Sequence, residues 1–499
     1  MRNVRSFLSS SAGQLCTLAL LAGFGMFGRL GTAELQPMGS SIHAAVAREI
    51  LRTGDWLTLH WPHSPEFADF YQFPPLFFWL QAVTFGLFGA NDITAKLVSS
   101  FFGFATILLT WAIGRLLAGR YVGFLAGLAM VLTSYFFRHA RKCELETILV
   151  FFIALGFLFV ILAERRNPWY LVLAGISAGL GMLAKGPPAA AVWGGTAVYY
   201  AATGRWRRIF SAPFACGVAA TVAVVAAWVV PQLLFKGDAL YRRYWLDQIV
   251  WSLTGRSARP TLLQRIAGYL YFVPVFLTYY QPWSTVGIFG AVSVVRERIR
   301  PLYLLLSWAA IVWLGFTVAG YRDDYYLLAL WPAWTVLAGF ALARRLPRAE
   351  QGISRWTGVA AAVFAIAVIV FPVRFDRVRN PEFRELGPVI AREVPPGERV
   401  IPYALDRHFY YYDLEGLLPW YADRGAVASA SPNPKSPPDA RAWYRTFVST
   451  PEELRALAGA GYRFVLLETD RLPDVARESG LSLVSLAASG RFTVARIGD

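Results

Sequence analysis

ELETILVFFIALGFLFVILAERRNPWYLVLAGISAGLGMLAKGPP, residues 144–188, holds two long apolar runs separated by Arg165-Arg166-Asn167-Pro168. A spanning α-helix needs about 20 mostly apolar residues, and each run with its flanks meets that length. The pair therefore reads as two neighbouring spans, about 147–163 and 168–184, joined by a basic turn. Arginines in short loops stay on the cytoplasmic side of a membrane. Both outer ends of the pair, Glu144/Glu146 and Lys185-Gly186-Pro187-Pro188, then lie on the opposite face. Two acids and a lysine are thereby brought to one rim of the bilayer.

The same reading extends along the chain. Further spans are expected near 12–31, 93–114, 120–136, 187–203, 210–233, 267–293, 301–319, 325–343 and 355–372. Basic clusters occur at Arg115/Arg120, Arg165/Arg166, Arg205/Arg207/Arg208, Arg296/Arg298/Arg300 and Arg344/Arg345/Arg348, with Arg2 and Arg5 at the start. If all are cytoplasmic, an even number of spans separates each neighbouring pair. From 120 onward this holds without adjustment. Before 115 it holds only if the run Pro74–Gly89, which opens with two prolines, is interfacial or re-entrant. The expectation is an all-α polytopic membrane protein of about eleven transmembrane helices; twelve or thirteen follow if the charge rule is broken once.

Composition agrees. Of 499 residues, 56% are apolar and 16% charged, with a mean hydropathy of +0.43, too little charge to cover a soluble surface. Aromatics make up 15%, which suits interfacial belts. The formal charge of +16 is dispersed in short loop clusters rather than in a basic, aromatic-interleaved domain, so nucleic acid is not an expected partner. Cys16, Cys143 and Cys216 have no paired spacing, which argues against a disulfide framework or a zinc site. Arg2 and Arg5 before an apolar run resemble a signal peptide, but no small-residue cleavage site stands out, so an uncleaved first helix is expected.

Residues 1–373 read as the membrane domain, with a first outer loop at about 32–92. After 373 apolar runs shorten and charge rises. Arg399-Val-Ile-Pro-Tyr-Ala and Tyr462-Arg-Phe-Val-Leu-Leu read as short buried strands. Between them, Ser449-Thr-Pro-Glu-Glu-Leu opens like a capped helix. Residues 374–499 are thus expected to form a small extracytoplasmic α/β domain, with the Pro- and Ser-rich Ala428–Arg441 as a loop.

Several outer-face groups are candidates for chemistry. Glu144 and Glu146 are placed to activate an acceptor hydroxyl or to hold a divalent cation beside a phosphate; a charged collar neutralised by Arg138, Arg141 and Lys142 is the plainer reading. Lys185 in its tight Gly-Pro-Pro turn can meet a phosphate as a point charge, or snorkel. Tyr241-Arg-Arg-Tyr with Arg256, Arg259 and Arg265 forms a basic, aromatic stretch fit for phosphate groups or lipid headgroups. Arg322, Asp323 and Asp324 suit either a second acid–base cluster or a solvated turn. His43, His60, His63 and His139 lack metal-ligand spacing, and no P-loop or Gly-rich nucleotide fingerprint occurs.

Taken in order, these segments resemble the GT-C glycosyltransferases of the protein-mannosyltransferase-like group, including bacterial lipid A aminoarabinose transferases. The resemblance is carried by Glu34-Leu-Gln-Pro, Ala47-Arg-Glu-Ile-Leu-Arg-Thr-Gly-Asp-Trp56, Pro74-Pro-Leu-Phe-Phe-Trp79, Arg141 to Glu146, Leu183-Ala-Lys-Gly-Pro187, Gln281-Pro-Trp-Ser284 and Tyr325-Tyr-Leu-Leu-Ala-Leu-Trp-Pro332. It implies transfer of a sugar from a polyprenyl-phosphate donor to a lipid, glycan or protein acceptor on the outer face of the bacterial cytoplasmic membrane. It also implies membrane-parallel helices in the first outer loop, Glu146 as the acid of the second outer loop, and Lys185 on the donor phosphate; Arg256, Arg259 and Arg322 are further candidates for that phosphate by their own charge. No further cofactor is implied, a divalent metal ion being the one candidate. Two departures stand out. Where relatives carry an Asp-Glu pair in the first loop this chain has Met38-Gly39-Ser40-Ser41, and where some carry Glu-Lys before the Pro-Pro it has Gln72-Phe73. Glu34, His43, Asp55, Asp69 or Glu144 are the groups available to stand in for the missing acid. The competing readings are a transporter or lipid flippase, and a catalytically inactive relative serving as a scaffold.

Overall fold

The computed structural model describes residues 10–36, 39–63, 69–254, 267–319, 322–371, 375–376, 380–405, 411–427 and 447–498. The chain divides into two compact units. One comprises Met1–Leu30, Tyr71–Leu80 and Lys96–Phe375; the other comprises Gly31–Phe70, Gln81–Ala95 and Asp376–Asp499.

All eleven expected spans are helical in the first unit. Among the described residues, seven helices are long and apolar enough to cross a bilayer: Ser11–Thr32, Asp92–Ala118, Glu146–Arg165, Ala212–Lys236, Arg300–Val318, Asp324–Arg345 and Glu350–Val370. Arg120–Leu132 and Ser134–Ala140 form a further pair bent by 68°. The bend sits at Thr133, whose hydroxyl donates to the Ala129 carbonyl at 2.7 Å while its N–H closes on Met130 three residues back. Both bonds divert the regular ladder, a known cause of kinks. The remaining segments are shorter. Tyr170–Lys185 is followed by the turn Pro187–Ala190 and the helix Ala191–Ala202. The single span expected at 267–293 is two helices, Phe272–Tyr279 and Trp283–Arg296, because Pro282 has no N–H to continue the ladder. The Pro74–Gly89 run forms the helix Leu76–Phe88. At 1.5 Å per residue it is about 20 Å long, short of the roughly 30 Å hydrocarbon core.

Lipid tails are as apolar as leucine, so helices in a bilayer associate through close packing and interhelical hydrogen bonds. Small residues supply the closeness here. A Cβ on Gly175 would strike the Gly217 carbonyl, and one on Gly179 would lie 2.7 Å from the Val224 Cβ. The Thr221 hydroxyl donates to the Gly175 carbonyl at 2.9 Å and accepts from the Trp193 indole at 2.9 Å. Deeper in, the fully buried Trp308 stacks on Phe157 at 4.3 Å and donates to the Ala329 carbonyl. Trp331 is tied to the Thr133 hydroxyl at 2.8 Å, so the bent pair is pinned to its neighbour. At the Arg165 end of the Glu146–Arg165 helix, Glu164 is held by Arg205 and Arg208. Arg141, 1% exposed, donates to the Gly25, Met26 and Gly28 carbonyls at the C-terminus of the Ser11–Phe27 helix, where a cation complements the helix dipole.

The second unit is built on a five-stranded sheet of β1 (Arg399–Pro402), β2 (Gly425–Ala426), β3 (Phe464–Glu468), β4 (Leu483–Ser489) and β5 (Phe492–Ile497), in the order β2-β1-β3-β5-β4. β1 runs parallel to β2 and β3, whereas β5 is antiparallel to both β3 and β4. The helix expected after Ser449 is Pro451–Gly459, and its cap is Thr450, whose hydroxyl accepts from the Glu453 N–H. The Pro- and Ser-rich loop at Ala428–Arg441 lies outside the described residues. The first-loop segments Gly31–Phe70 and Gln81–Ala95 belong to this same unit. Gly416 of the Tyr411–Ala422 helix leaves no room for a Cβ against Ser41 and Ile42 of the Gly39–Thr53 helix. Arg48 donates to the Pro419 and Trp420 carbonyls, and Asp92 accepts from Arg384, Trp420 and Tyr421. Asp423 faces Arg48 at 3.3 Å and His63 at 2.9 Å. Burial pushes its carboxyl up, but the His63 hydrogen bond and the Arg48 charge outweigh this and hold it below the usual carboxylate range.

Two outcomes follow from this packing. Gly175→Leu forces a side chain into a helix–helix contact with no space for one; it should lower the unfolding temperature of the purified protein and its yield of monodisperse material, at a cost of about 1–3 kcal/mol or more. Asp423 protonates at lower pH in the folded chain than in the unfolded one, so its contribution is complete above the ordinary carboxylate pKa of about 4 and fades as pH falls through the lower folded value. Asp423→Asn should therefore unfold at a lower temperature than the native chain at neutral pH, with the gap closing in acid; a gap that widens in acid would contradict the assignment.

Candidate active-site cavity

The Glu146–Arg165 helix runs one way, turns at Arg166–Trp169, and Tyr170–Lys185 runs back against it. Its first residue and the last residue of its partner therefore meet at one end. Each charge suits its position: an acid at a helix N-terminus and a cation at a helix C-terminus both complement the backbone dipoles. Gly186 ends the second helix with φ of 99°, a left-handed value that disfavours any side chain, and its N–H bonds the Met182 carbonyl at 2.7 Å. Space enforces the same choice, since a Cβ there would lie 2.5 Å from the Tyr244 hydroxyl. Pro187 then opens the next turn, where a missing N–H costs nothing.

Lys185 and Glu146 form an ion pair with side chains only 10% and 9% exposed. The ammonium also sits over the rings of Tyr325 at 4.8 Å and Tyr326 at 5.5 Å. The Tyr325 hydroxyl donates to Asp323 at 2.7 Å, which fixes that ring. Glu146 uses one carboxylate oxygen on the lysine; the other, Oε2, is buried without a hydrogen-bond partner among the described residues. Removing one member of a buried pair typically costs about 3–5 kcal/mol, because the other charge is left uncompensated. The pair is thus stable only while each charge has an opposite one to face.

Both residues line a cavity of about 390 Å³. Gln72 and Phe73 of the first outer loop line it too, as do Tyr244, Tyr325 and Tyr326. Most of the rest of the wall is aliphatic or aromatic, and Glu146 and Lys185 are the charged residues on it among those described. An apolar pocket of this size with a few convergent polar groups is the usual form of a small-molecule site. A cation beside a carboxylate at its edge can hold an anionic headgroup while an apolar tail fills the remainder.

None of the other described candidates is among the residues lining this cavity. Glu144, two residues from Glu146, faces away into a collar: it meets His139 at 2.7 Å and Lys142 at 3.3 Å, and its carbonyl accepts from Ser99. Glu34, His43 and Asp55 belong to the second unit. Glu34 is 2% exposed and accepts the Asn380 N–H at 3.0 Å, a structural bond. His43 is buried on the Gly39–Thr53 helix, 3.3 Å from where a Gly39 Cβ would stand. Asp55 organises its own turn, accepting from the Leu57 and Thr58 N–H groups and meeting His60, which also faces Asp69. Burial raises its carboxyl, and the Thr58, His60 and Leu57 hydrogen bonds more than reverse this, so it stays below the usual range. Arg322 donates to the Thr317 carbonyl and does not line the cavity. Arg256 and Arg259 lie outside the described residues. No group of three or more His, Cys, Asp or Glu is placed to hold a metal among the described residues. The two tyrosines under Lys185 carried no role in the sequence reading; their signal was adjacency to Asp323-Asp324, but only folding of Asp324–Leu330 as a 3₁₀ turn aims them at the lysine.

Comparison with known proteins bears on the fold. The family model for dolichyl-phosphate-mannose-protein mannosyltransferase matches residues 72–234. The undecaprenyl phosphate-alpha-4-amino-4-deoxy-L-arabinose arabinosyl transferases of Serratia proteamaculans and Photorhabdus laumondii are 25% and 23% identical over 331 and 318 residues. Each match covers 60% of this chain but only 54% of the relative, so this chain spans about half the length of those transferases. Among solved structures, ArnT from Cupriavidus metallidurans bound to undecaprenyl phosphate is similar with a TM-score of 0.72, covering 98% of both chains at 18% identity. The archaeal oligosaccharyltransferase AglB from Archaeoglobus fulgidus, in complex with an inhibitory peptide and a dolichol-phosphate, is similar with a TM-score of 0.59, covering 97% of this chain and 74% of its own at 13% identity. Ordered motifs and a fold shared over nearly its whole length make this chain, a multi-pass membrane protein, similar in architecture to the GT-C glycosyltransferases of the protein-mannosyltransferase-like group.

Proposed function

We propose that the protein transfers a sugar from a polyprenyl-phosphate donor to a lipid or glycan acceptor on the outer face of the bacterial cytoplasmic membrane, with residues 374–499 on that same side. The observation that carries this reading is the buried Lys185–Glu146 pair in the wall of a largely apolar cavity. Such a wall suits an isoprenoid chain, and Lys185 suits its phosphate. Similar proteins act on or bind ligands of this class, as the arabinosyl transferases named for undecaprenyl phosphate and ArnT with undecaprenyl phosphate illustrate.

The reaction breaks the bond between sugar C1 and a phosphate oxygen, so negative charge grows on that oxygen as the bond lengthens. A fixed cation aimed at developing charge inside a poorly hydrated site lowers the barrier more than it would in water. Lys185 is fixed by its position at a helix end, by Gly186 and by the two tyrosine faces beneath it. The acceptor must also lose a proton, and Glu146 is the carboxylate on the cavity wall. A flippase would need polar groups toward the bilayer midplane; the charged pair here is at helix ends instead.

Lys185→Ala should slow transfer by about 10²–10³-fold, the usual cost of losing one such electrostatic group, as measured with the purified full chain in nanodiscs and a panel of polyprenyl-phosphate sugars. Transfer at the native rate by that variant would remove Lys185 from the mechanism, and a native chain that neither transfers from nor binds any member of the panel would remove the enzyme reading. Sidedness has its own check. In intact cells a membrane-impermeant maleimide should label Asp238→Cys, beyond the Ala212–Lys236 helix, but not Asn167→Cys in the basic turn; the reverse pattern would invert the orientation.

A further inference from the structure

Building on Lys185 as the donor-phosphate residue, we propose that the Glu146–Lys185 pair is a resting latch. The donor's phosphate opens it by taking the lysine, and the released Glu146 carboxylate is the base that accepts the acceptor's proton.

The argument starts from what each charge lacks. An ionised carboxylate has two oxygens able to accept several hydrogen bonds. Glu146 spends Oε1 on Lys185, while Oε2 is buried and unpartnered among the described residues. Buried polar atoms left in that condition are rare and each calls for an explanation, a catalytic role among them. Lys185 is the complement: an ammonium has three donors, and beyond Glu146 it rests on the faces of Tyr325 and Tyr326. Ring faces attract a cation without occupying it as a lone pair would. A phosphate arriving at the cavity edge therefore finds unused donors on Lys185, and it competes with Glu146 for the same positive charge.

The other acids do not meet this need. Glu144 is occupied by His139 and Lys142, and Asp323 by Tyr325. The first loop has no acid at Gly39, Ser40 or Ser41. Glu146 is the carboxylate that lines the cavity among the described residues. Once Lys185 turns to the phosphate, Glu146 stands in a poorly hydrated wall with no cation beside it, a state that favours taking a hydrogen-bond donor or a proton. An acceptor hydroxyl satisfies it. The hydroxyl oxygen forms the bond to C1 as the C1–O bond to phosphate breaks. The bonding pair leaves on the phosphate oxygen facing Lys185, and the hydroxyl proton passes to Glu146. Donor must bind before acceptor, because the base is locked until the phosphate arrives.

The test uses the full chain in nanodiscs with undecaprenyl phosphate as binding probe, alongside transfer from a polyprenyl-phosphate sugar. In Glu146→Gln the lysine has no carboxylate to leave, so the probe should bind about tenfold tighter than to the native chain, whereas transfer should fall by about 10²–10⁴-fold, the usual worth of general acid–base help. Glu146→Asp retains the charge but shortens the reach; it should bind the probe with intermediate affinity, and it guards against misfolding of the first variant. Unchanged or weaker probe binding in folded Glu146→Gln overturns the latch, and tighter binding with undiminished transfer overturns the base. A native chain that binds no probe would instead sink the donor assignment on which the latch rests, so the two failures are distinguishable.

Discussion

A charge cannot be left alone in a poorly hydrated site, and this constraint shapes the first unit around the ends of one helical hairpin. Glu146 and Lys185 are each placed where a helix dipole favours their sign, but burial to a tenth of full exposure makes each depend on the other. The rest of the site follows from satisfying that dependence. Gly186 turns the chain so sharply that Lys185 cannot swing out with a longer helix, and the Tyr244 hydroxyl fills the space a side chain would need. Tyr325 and Tyr326 add a negative face beneath the ammonium without a competing negative charge. A cavity whose charge is balanced in this way stays intact until something of equal charge replaces one partner.

Holding the two ends together requires that the hairpin and its neighbours do not slide. Close contacts at Gly175, Gly179 and Gly217, with the Thr221 hydroxyl bridging the Gly175 carbonyl and the Trp193 indole, fix the depth of the Tyr170–Lys185 helix. Arg141 performs a related task ahead of Glu146. It is buried and spends donors on three carbonyls at the end of the Ser11–Phe27 helix, so the loop that leads into Glu146 is tethered to the first span. What looked in one dimension like a run of interchangeable charges, Arg138 to Glu146, is sorted by folding into separate tasks: one arginine caps a helix, one acid closes a collar with His139, and the other acid faces the cavity.

That sorting explains how much was legible beforehand. Apolar length and the position of arginines are properties of short stretches of chain, so the helical hairpin and the meeting of Glu146 with Lys185 at its open end could be read directly. The split of 267–293 into two helices was signalled by Pro282 but masked by continuous hydrophobicity on both sides. Pairings distant in sequence left no such trace. Nothing local says that Glu34 will accept the Asn380 N–H or that Asp92 will meet Arg384 and Tyr421. Glu34 accepts the Asn380 N–H and Asp55 organises its own turn, roles that no local pattern announces.

The absence of an acid at Gly39, Ser40 and Ser41 bears on this balance. A site that places its base far from its phosphate residue can keep both charged at rest, because water or other partners hold them apart. Here the carboxylate and the lysine share one buried wall, and at rest they can be charged only as a pair. Charge balance thereby couples the two groups on that wall. On the proposed reading the donor's own negative charge is the means of separating them, which makes the arrangement self-consistent once its charges are balanced.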